Sequence, residues 1–155
     1  MTTTTERPAT ATRLPLPGAA PDTFDALLAF DRAATTGIDL ALAELVRLRV
    51  SQLNGCGYCV DLHSARARAG GESERRLFAL PAWRATPFFS TQERAALALA
   101  EAVTDLADGQ VPDEVYDAAA RHFGQFELTQ LIWVTVAANA WNRAAVATRL
   151  GPVPG

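Results

Sequence analysis

Apolar residues recur along this chain at helical spacing, and no stretch alternates convincingly with a period of two. Phe24, Leu27 and Leu28 lie on one face of a segment that Asp22 or Thr23 can cap and that runs to about Thr35, with Gly37 as its breaker. Asp39 can cap a second helix from Leu40 to about Leu53. "NGCG" reads as a turn, and a third helix runs from about Cys56 to Ala69, stopped by Gly70 and Gly71. Ser73 can cap a short helix to Leu80, and "PAWRATPFF" reads as a loop carrying large apolar groups. Ser90 with Glu93 forms an S-x-x-E capping box opening a helix to about Leu106. Pro112 suits the first turn of a helix ending at Gly124. The last helix, about Glu127 to Leu150, is apolar on most sides and so belongs in a core or a subunit interface. The expected class is all-α.

The ends differ in composition. Residues 1–21 are rich in Thr, Ala and Pro and read as a flexible arm with an extended "LPLP" end. Residues 22–150 read as one helical domain and 151–155 as a short tail. A chain of 155 residues buries enough surface that its core needs neither a disulfide nor a metal. The net charge is −3, with the cationic side chains dispersed, so neither nucleic acid nor an anionic membrane is expected as a partner. No apolar run approaches the ~18–20 residues of a membrane span. The N-terminal stretch lacks the apolar segment of a signal peptide. A cytoplasmic location is therefore expected, where thiols are kept reduced. A C-x-x-C there points to catalysis or metal binding rather than to a structural staple.

Both cysteines of the chain fall in "NGCGYCVDLH". On a helix starting near Cys56, Cys56 and Cys59 are i, i+3 neighbours and Cys59 and His63 are i, i+4 neighbours. The first spacing permits a disulfide. Cys56 and His63 stand ~10.5 Å apart along the axis, so His63 should serve Cys59. Thiols in a first helical turn and near a histidine have lowered pKa values. The preceding helix places Glu44, Arg47 and Ser51 on a narrow polar stripe, the rest being mostly apolar. A carboxylate on such a helix needs a partner. Glu44 can pair with Arg47, or reach His63 or a thiol and act as a proton relay.

The run "ELVRLRVSQLNGCGYCVDLH" resembles the core of the AhpD-like alkylhydroperoxidases of the carboxymuconolactone decarboxylase superfamily, with Glu44, Ser51, Asn54, Cys56, Cys59 and His63 at the matching places. The later helices, including "NAWNR", are similar too. The resemblance implies a helical bundle of about six to seven helices with the C-x-x-C opening a central helix. It also implies a thiol-dependent peroxidase or thiol-disulfide oxidoreductase. Cys59 would attack the peroxide and become a sulfenic acid. Cys56 would donate a proton and then close a Cys56–Cys59 disulfide, with His63 and Glu44 as proton relay. A small hydroperoxide and an external dithiol or thioredoxin-like reductant are the implied partners, with no cofactor; the apolar last helix and the aromatic loop point to a homo-oligomer (trimer or hexamer). Some peroxidases of this kind carry a histidine just before the second cysteine; here Tyr58 stands there.

Other readings stay open. The decarboxylases of the superfamily are similar in fold but do not depend on a C-x-x-C, and a redox-responsive oligomeric scaffold needs no catalysis. A zinc site would have Cys56, Cys59 and His63 but lacks an evident fourth ligand, His122 being on another segment. Asn139, Asn142 and Arg143 share a face of the last helix and read first as polar contacts within the bundle or an interface. Trp83, Phe88, Phe89, Trp133 and Trp141 read as core or interface groups, with the aromatics at 83–89 able to roof a pocket above the thiols.

Overall fold

The computed structural model describes residues 11–152. Eight α-helices, and no strand, occur among them: α1 (Leu16–Ala19), α2 (Pro21–Thr35), α3 (Leu40–Asn54), α4 (Gly57–Ala69), α5 (Glu74–Ala79), α6 (Thr91–Asp105), α7 (Asp113–Ala120) and α8 (Gln125–Thr148). Short 3-10 turns occupy Leu80–Ala85 and Ala107–Gly109. The all-α expectation is met, with α1 added to the count.

The architecture is built around α3. Leu42, Ala43, Leu45, Val46, Leu48 and Val50 are all buried, because apolar side chains fall on nearly every face of this helix. It packs against α4, α6 and α8. One apolar cluster gathers Leu42, Val46 and Val50 with Leu99 of α6 and Leu128, Leu131 and Val134 of α8. A second places Leu45 and Leu48 against Ala67 of α4, Leu77 of α5, Trp83, Phe89 and Leu97. Charged or hydroxyl caps fix the starts of α3, α5 and α6, whereas α2 begins at Pro21 with Ala20, not Asp22 or Thr23, at its N-cap. Asp39 accepts the Leu42 N–H at 2.8 Å, Ser73 accepts from Arg76, and Ser90 and Glu93 form the reciprocal capping box.

The structure departs from the sequence pattern at several joints. The "LPLP" end of the arm is not wholly extended, since Leu16–Ala19 turns as α1 with Pro17 in its first turn. Residues 12 and 13 are held by the end of α8, with the Arg13 N–H donating to the Thr148 carbonyl at 2.8 Å. The rest of the expected arm, residues 1–10, and residues 153–155 of the tail lie outside the described residues. α7 stops at Ala120, and Gly124 is not its end but the N-cap of α8, its N–H donating to the Glu127 carboxylate at 3.3 Å.

The aromatic loop is folded inward. Trp83 and Phe89 are buried, and the Trp83 indole N–H donates to Glu101 at 2.8 Å, so these rings seal the second cluster. Most of the apolar surface of α8 is likewise consumed within the chain. What it leaves outside is Phe126, Trp133 and Val146. Trp133 meets Phe30 of α2 edge-on, with ring centroids 5.6 Å apart.

Candidate active site

The turn between α3 and α4 determines where the cysteines sit. Gly55 ends α3 with φ 66°, a left-handed conformation suited to glycine. The chain then straightens through Cys56 (φ −82°, ψ 97°) before α4 begins at Gly57. Cys56 is therefore the N-cap of α4 rather than its first residue, and its sulfur accepts the Cys59 N–H at 3.3 Å. The two Cα atoms are 5.3 Å apart and the sulfurs form a disulfide. Both residues are buried, at 1% and 3% exposure.

Polar side chains of α2, α3 and α4 meet beside the pair. Glu44 is bound at both oxygens: Oε2 lies 2.8 Å from His63 Nδ1, and Oε1 accepts from Arg47 Nη1 at 2.8 Å. Arg47, itself buried, also donates to Asp31 of α2 at 2.9 Å and to the Thr35 hydroxyl. Burial pushes the Glu44 carboxyl upward, but the hydrogen bond and charge of His63, with the charge and hydrogen bond of Arg47, outweigh it and hold it below its ordinary value. An ionised carboxylate only accepts hydrogen bonds, so His63 Nδ1 carries the proton. With Nδ1 so occupied, the lone pair of the ring's neutral form is on Nε2. Pairing with Arg47 and contact with His63 were alternatives in the sequence; one carboxylate makes both.

A second polar network fixes the turn. Asn54 donates to Asn139 Oδ1 at 2.9 Å and to Asn142 Oδ1 at 3.0 Å. Asn142, fully buried, donates to Ser51 Oγ at 3.1 Å, and Ser51 donates to the Arg47 carbonyl at 2.7 Å. The Cys56 N–H donates to the Ser51 carbonyl at 3.0 Å. Asn139 and Asn142 thus clamp α8 to the end of α3, and Arg143 donates to Asn139 Oδ1. Replacing Asn142 with Leu should cost about 1–3 kcal/mol, because Asn54 and Ser51 lose buried partners. Urea unfolding of the variant checks this, and an unchanged midpoint contradicts it.

Cys59 and His63, one turn apart on α4, open onto one cavity of about 450 Å³. Tyr58 and Leu62 stand beside them. Phe24 and Leu28 of α2, Trp141 of α8 and the chain from Leu14 to Pro17 complete a mostly apolar wall. Phe24 and Trp141 pack edge-on, with centroids 5.2 Å apart. Cys56 does not line this space. The roof is the N-terminal segment, not the aromatics at 83–89, which are committed to the second cluster.

Residues 21–102 match the family model for the carboxymuconolactone decarboxylase family. The chain belongs to that family. Over 112 residues it is 38% identical to the uncharacterized protein YdfG of Bacillus subtilis (strain 168), covering 72% of this chain and 76% of that one. A solved structure from Agrobacterium tumefaciens, the protein of unknown function ATU0492 and a candidate AhpD antioxidant defence protein, superposes with a TM-score of 0.89. It is 34% identical, covering 93% of this chain and 100% of that chain. The alkyl hydroperoxide reductase AhpD of Maricaulis maris (strain MCS10) is 45% identical over 49 residues, 32% of this chain and 28% of that protein. These likenesses place the chain among the AhpD-like members of the family.

Within this AhpD-like frame, the structure gathers Glu44 and His63 in direct contact and puts Cys59 on the same cavity as His63. Three participants were missed as site residues. Asp31 and Thr35 complete the Arg47 cage from α2, and Trp141, read as core or interface, stands on the cavity wall. Helical spacing relates residues within one helix and could not show contacts arriving from another. His122 lies on an exposed turn after α7. Among the described residues no group of three or more His, Cys, Asp or Glu side chains is placed to hold a metal ion, and no helix is long and apolar enough to cross a membrane.

Proposed function

We propose that this chain is a thiol-dependent peroxidase that cycles between the Cys56–Cys59 disulfide and two thiols. The observation that supports it most is the arrangement at the cavity. Cys59 and His63 line it together, while Glu44 occupies Nδ1 of the imidazole and leaves Nε2 to take a proton.

In the reduced protein His63 takes the Cys59 proton, and the thiolate attacks the terminal oxygen of a hydroperoxide. The O–O bond breaks, the departing alkoxide takes the proton from His63, and an alcohol and a Cys59 sulfenic acid result. The Cys56 sulfur then attacks Cys59. The sulfur–sulfur bond forms, and hydroxide leaves with the Cys56 proton as water. An external dithiol or thioredoxin-like protein reduces the disulfide by exchange and is itself oxidised. One hydroperoxide and one dithiol thus give one alcohol, one water and one disulfide.

Reduced protein, freed of reductant and mixed with one equivalent of tert-butyl hydroperoxide, should lose both thiols and yield one equivalent of alcohol. Thiols that remain free would sink the proposal. Turnover of a small lactone acid that survives loss of both cysteines would favour a decarboxylase-like activity instead. We further propose that the protein self-associates, with Phe126, Trp133 and Val146 as apolar groups that α8 leaves exposed. Light scattering that returns a mass near 16.6 kDa overturns this.

A further inference from the structure

The cavity beside Cys59 is lined unevenly, and the unevenness specifies a ligand. Cys59, Leu62, His63 and Arg66 all face it, following one another at i, i+3, i+4 and i+7 along a single stripe of α4. The charged groups on the wall differ in how far they are satisfied. Arg47 is shared by Asp31 and Glu44, and His63 is held by Glu44. Arg66 is exposed and has no ion-pair partner among the described residues. Leu14, Leu16, Phe24, Leu28 and Trp141, from other segments, also line the cavity.

Part of this apolar wall comes from residues 12–17, ahead of the segment that matches the family. That part is pinned by the Arg13 N–H on the Thr148 carbonyl and the Arg13 guanidinium on the Ala147 carbonyl at 3.1 Å. A cavity of about 450 Å³ falls within the ~300–1,000 Å³ of small-molecule sites.

We propose that this cavity binds an amphipathic monocarboxylate of the fatty-acid type, its carboxylate on Arg66 and its chain laid along α4 toward Cys59. A single guanidinium matches one carboxylate through paired hydrogen bonds, and the apolar wall supplies most of the binding free energy by burying the chain. Resting on the peroxidase reading, the substrate class becomes a fatty-acid hydroperoxide. Seven residues separate Cys59 from Arg66, ~10.5 Å of helix axis, so the peroxide should stand about eight carbons from the carboxylate.

The test uses the full chain in its disulfide form and the unreactive probes decanoate and decan-1-ol, with binding followed by calorimetry. Decanoate should bind wild type about tenfold more tightly than decanol, and Arg66→Gln should bring decanoate down to the level of decanol. Arg66→Lys should restore part of the difference. Absence of decanoate binding, or equal affinities for acid and alcohol in wild type, overturns the inference. If tert-butyl hydroperoxide is reduced but decanoate does not bind, only the ligand class falls. If decanoate binds but the reduced thiols ignore hydroperoxides, the ligand site stands and the peroxidase reading falls.

Discussion

Cys59→Ser should abolish hydroperoxide reduction, a loss of at least about a thousandfold, since the attacking sulfur itself is removed. Cys56→Ser should behave differently. Cys59 in that variant still faces the cavity beside His63, so the first equivalent of hydroperoxide should be consumed. The sulfenic acid then has no resolving thiol and should persist, react with a sulfenic-acid trap, and overoxidise with excess peroxide. The asymmetry follows from the turn. Cys56 lies at the N-cap, off the cavity, its sulfur receiving the Cys59 N–H, whereas Cys59 is on the cavity wall. Single-turnover assays with mass spectrometry distinguish the two. Equal first-turnover consumption by both variants, or sulfenic acid on Cys56 alone, would overturn the assignment of the attacking thiol. A serine at either position keeps a similar volume, and in the reduced protein no bond is lost, so the comparison reads chemistry more than folding.

The helices were legible because their signals are local. Capping residues at Asp39, Ser73 and Ser90 and the breakers after α3 and α4 act on their own neighbours, and each is where the pattern put it. Errors arose where two elements compete for the same residues. Gly124 can close α7 or open α8, and only the Glu127 carboxylate, which turns back to the Gly124 N–H, decides the matter. Cys56 could have opened α4, but Gly55 in the left-handed region feeds it in extended and makes it a cap.

The site was legible in part for the same reason. His63 follows Cys59 by one turn, so a helix alone relates them. Glu44 to His63 is a contact between helices, and the periodicity could offer it only as an alternative to Arg47. The apolar wall was hidden altogether. Leu14 and Leu16 sit in a Pro-rich segment whose composition suggests a linker, and what gives that segment a place is hydrogen bonding to the end of α8 more than 130 residues away. Trp83 and Phe89 show the converse: loop residues by pattern, they are drawn into the core by Leu45, Leu48 and Leu97.

Glu44→Gln should lower the peroxidase rate about a hundredfold and change how stability responds to acid. In the wild type the carboxylate pins His63 Nδ1–H and so presents Nε2 as the base. Glutamine can still accept one hydrogen bond but carries no charge to stabilise the imidazolium formed when Cys59 gives up its proton. Arg47 keeps Asp31 and Thr35, so the fold should survive at a cost of about 1–3 kcal/mol. The sign of the pH effect follows from the direction of the shift. The folded protein holds the Glu44 carboxyl below its ordinary value of 4.5, so unfolding binds a proton in acid. The contribution to stability is then complete above about pH 4.5 and is lost as pH falls through the lower folded value. Urea denaturation between pH 7 and pH 3 should therefore show a steeper acid loss in wild type than in Glu44→Gln. Parallel curves would mean that Glu44 is not held ionised by His63 and Arg47. A variant with full activity would mean that proton transfer at Cys59 does not run through this pair.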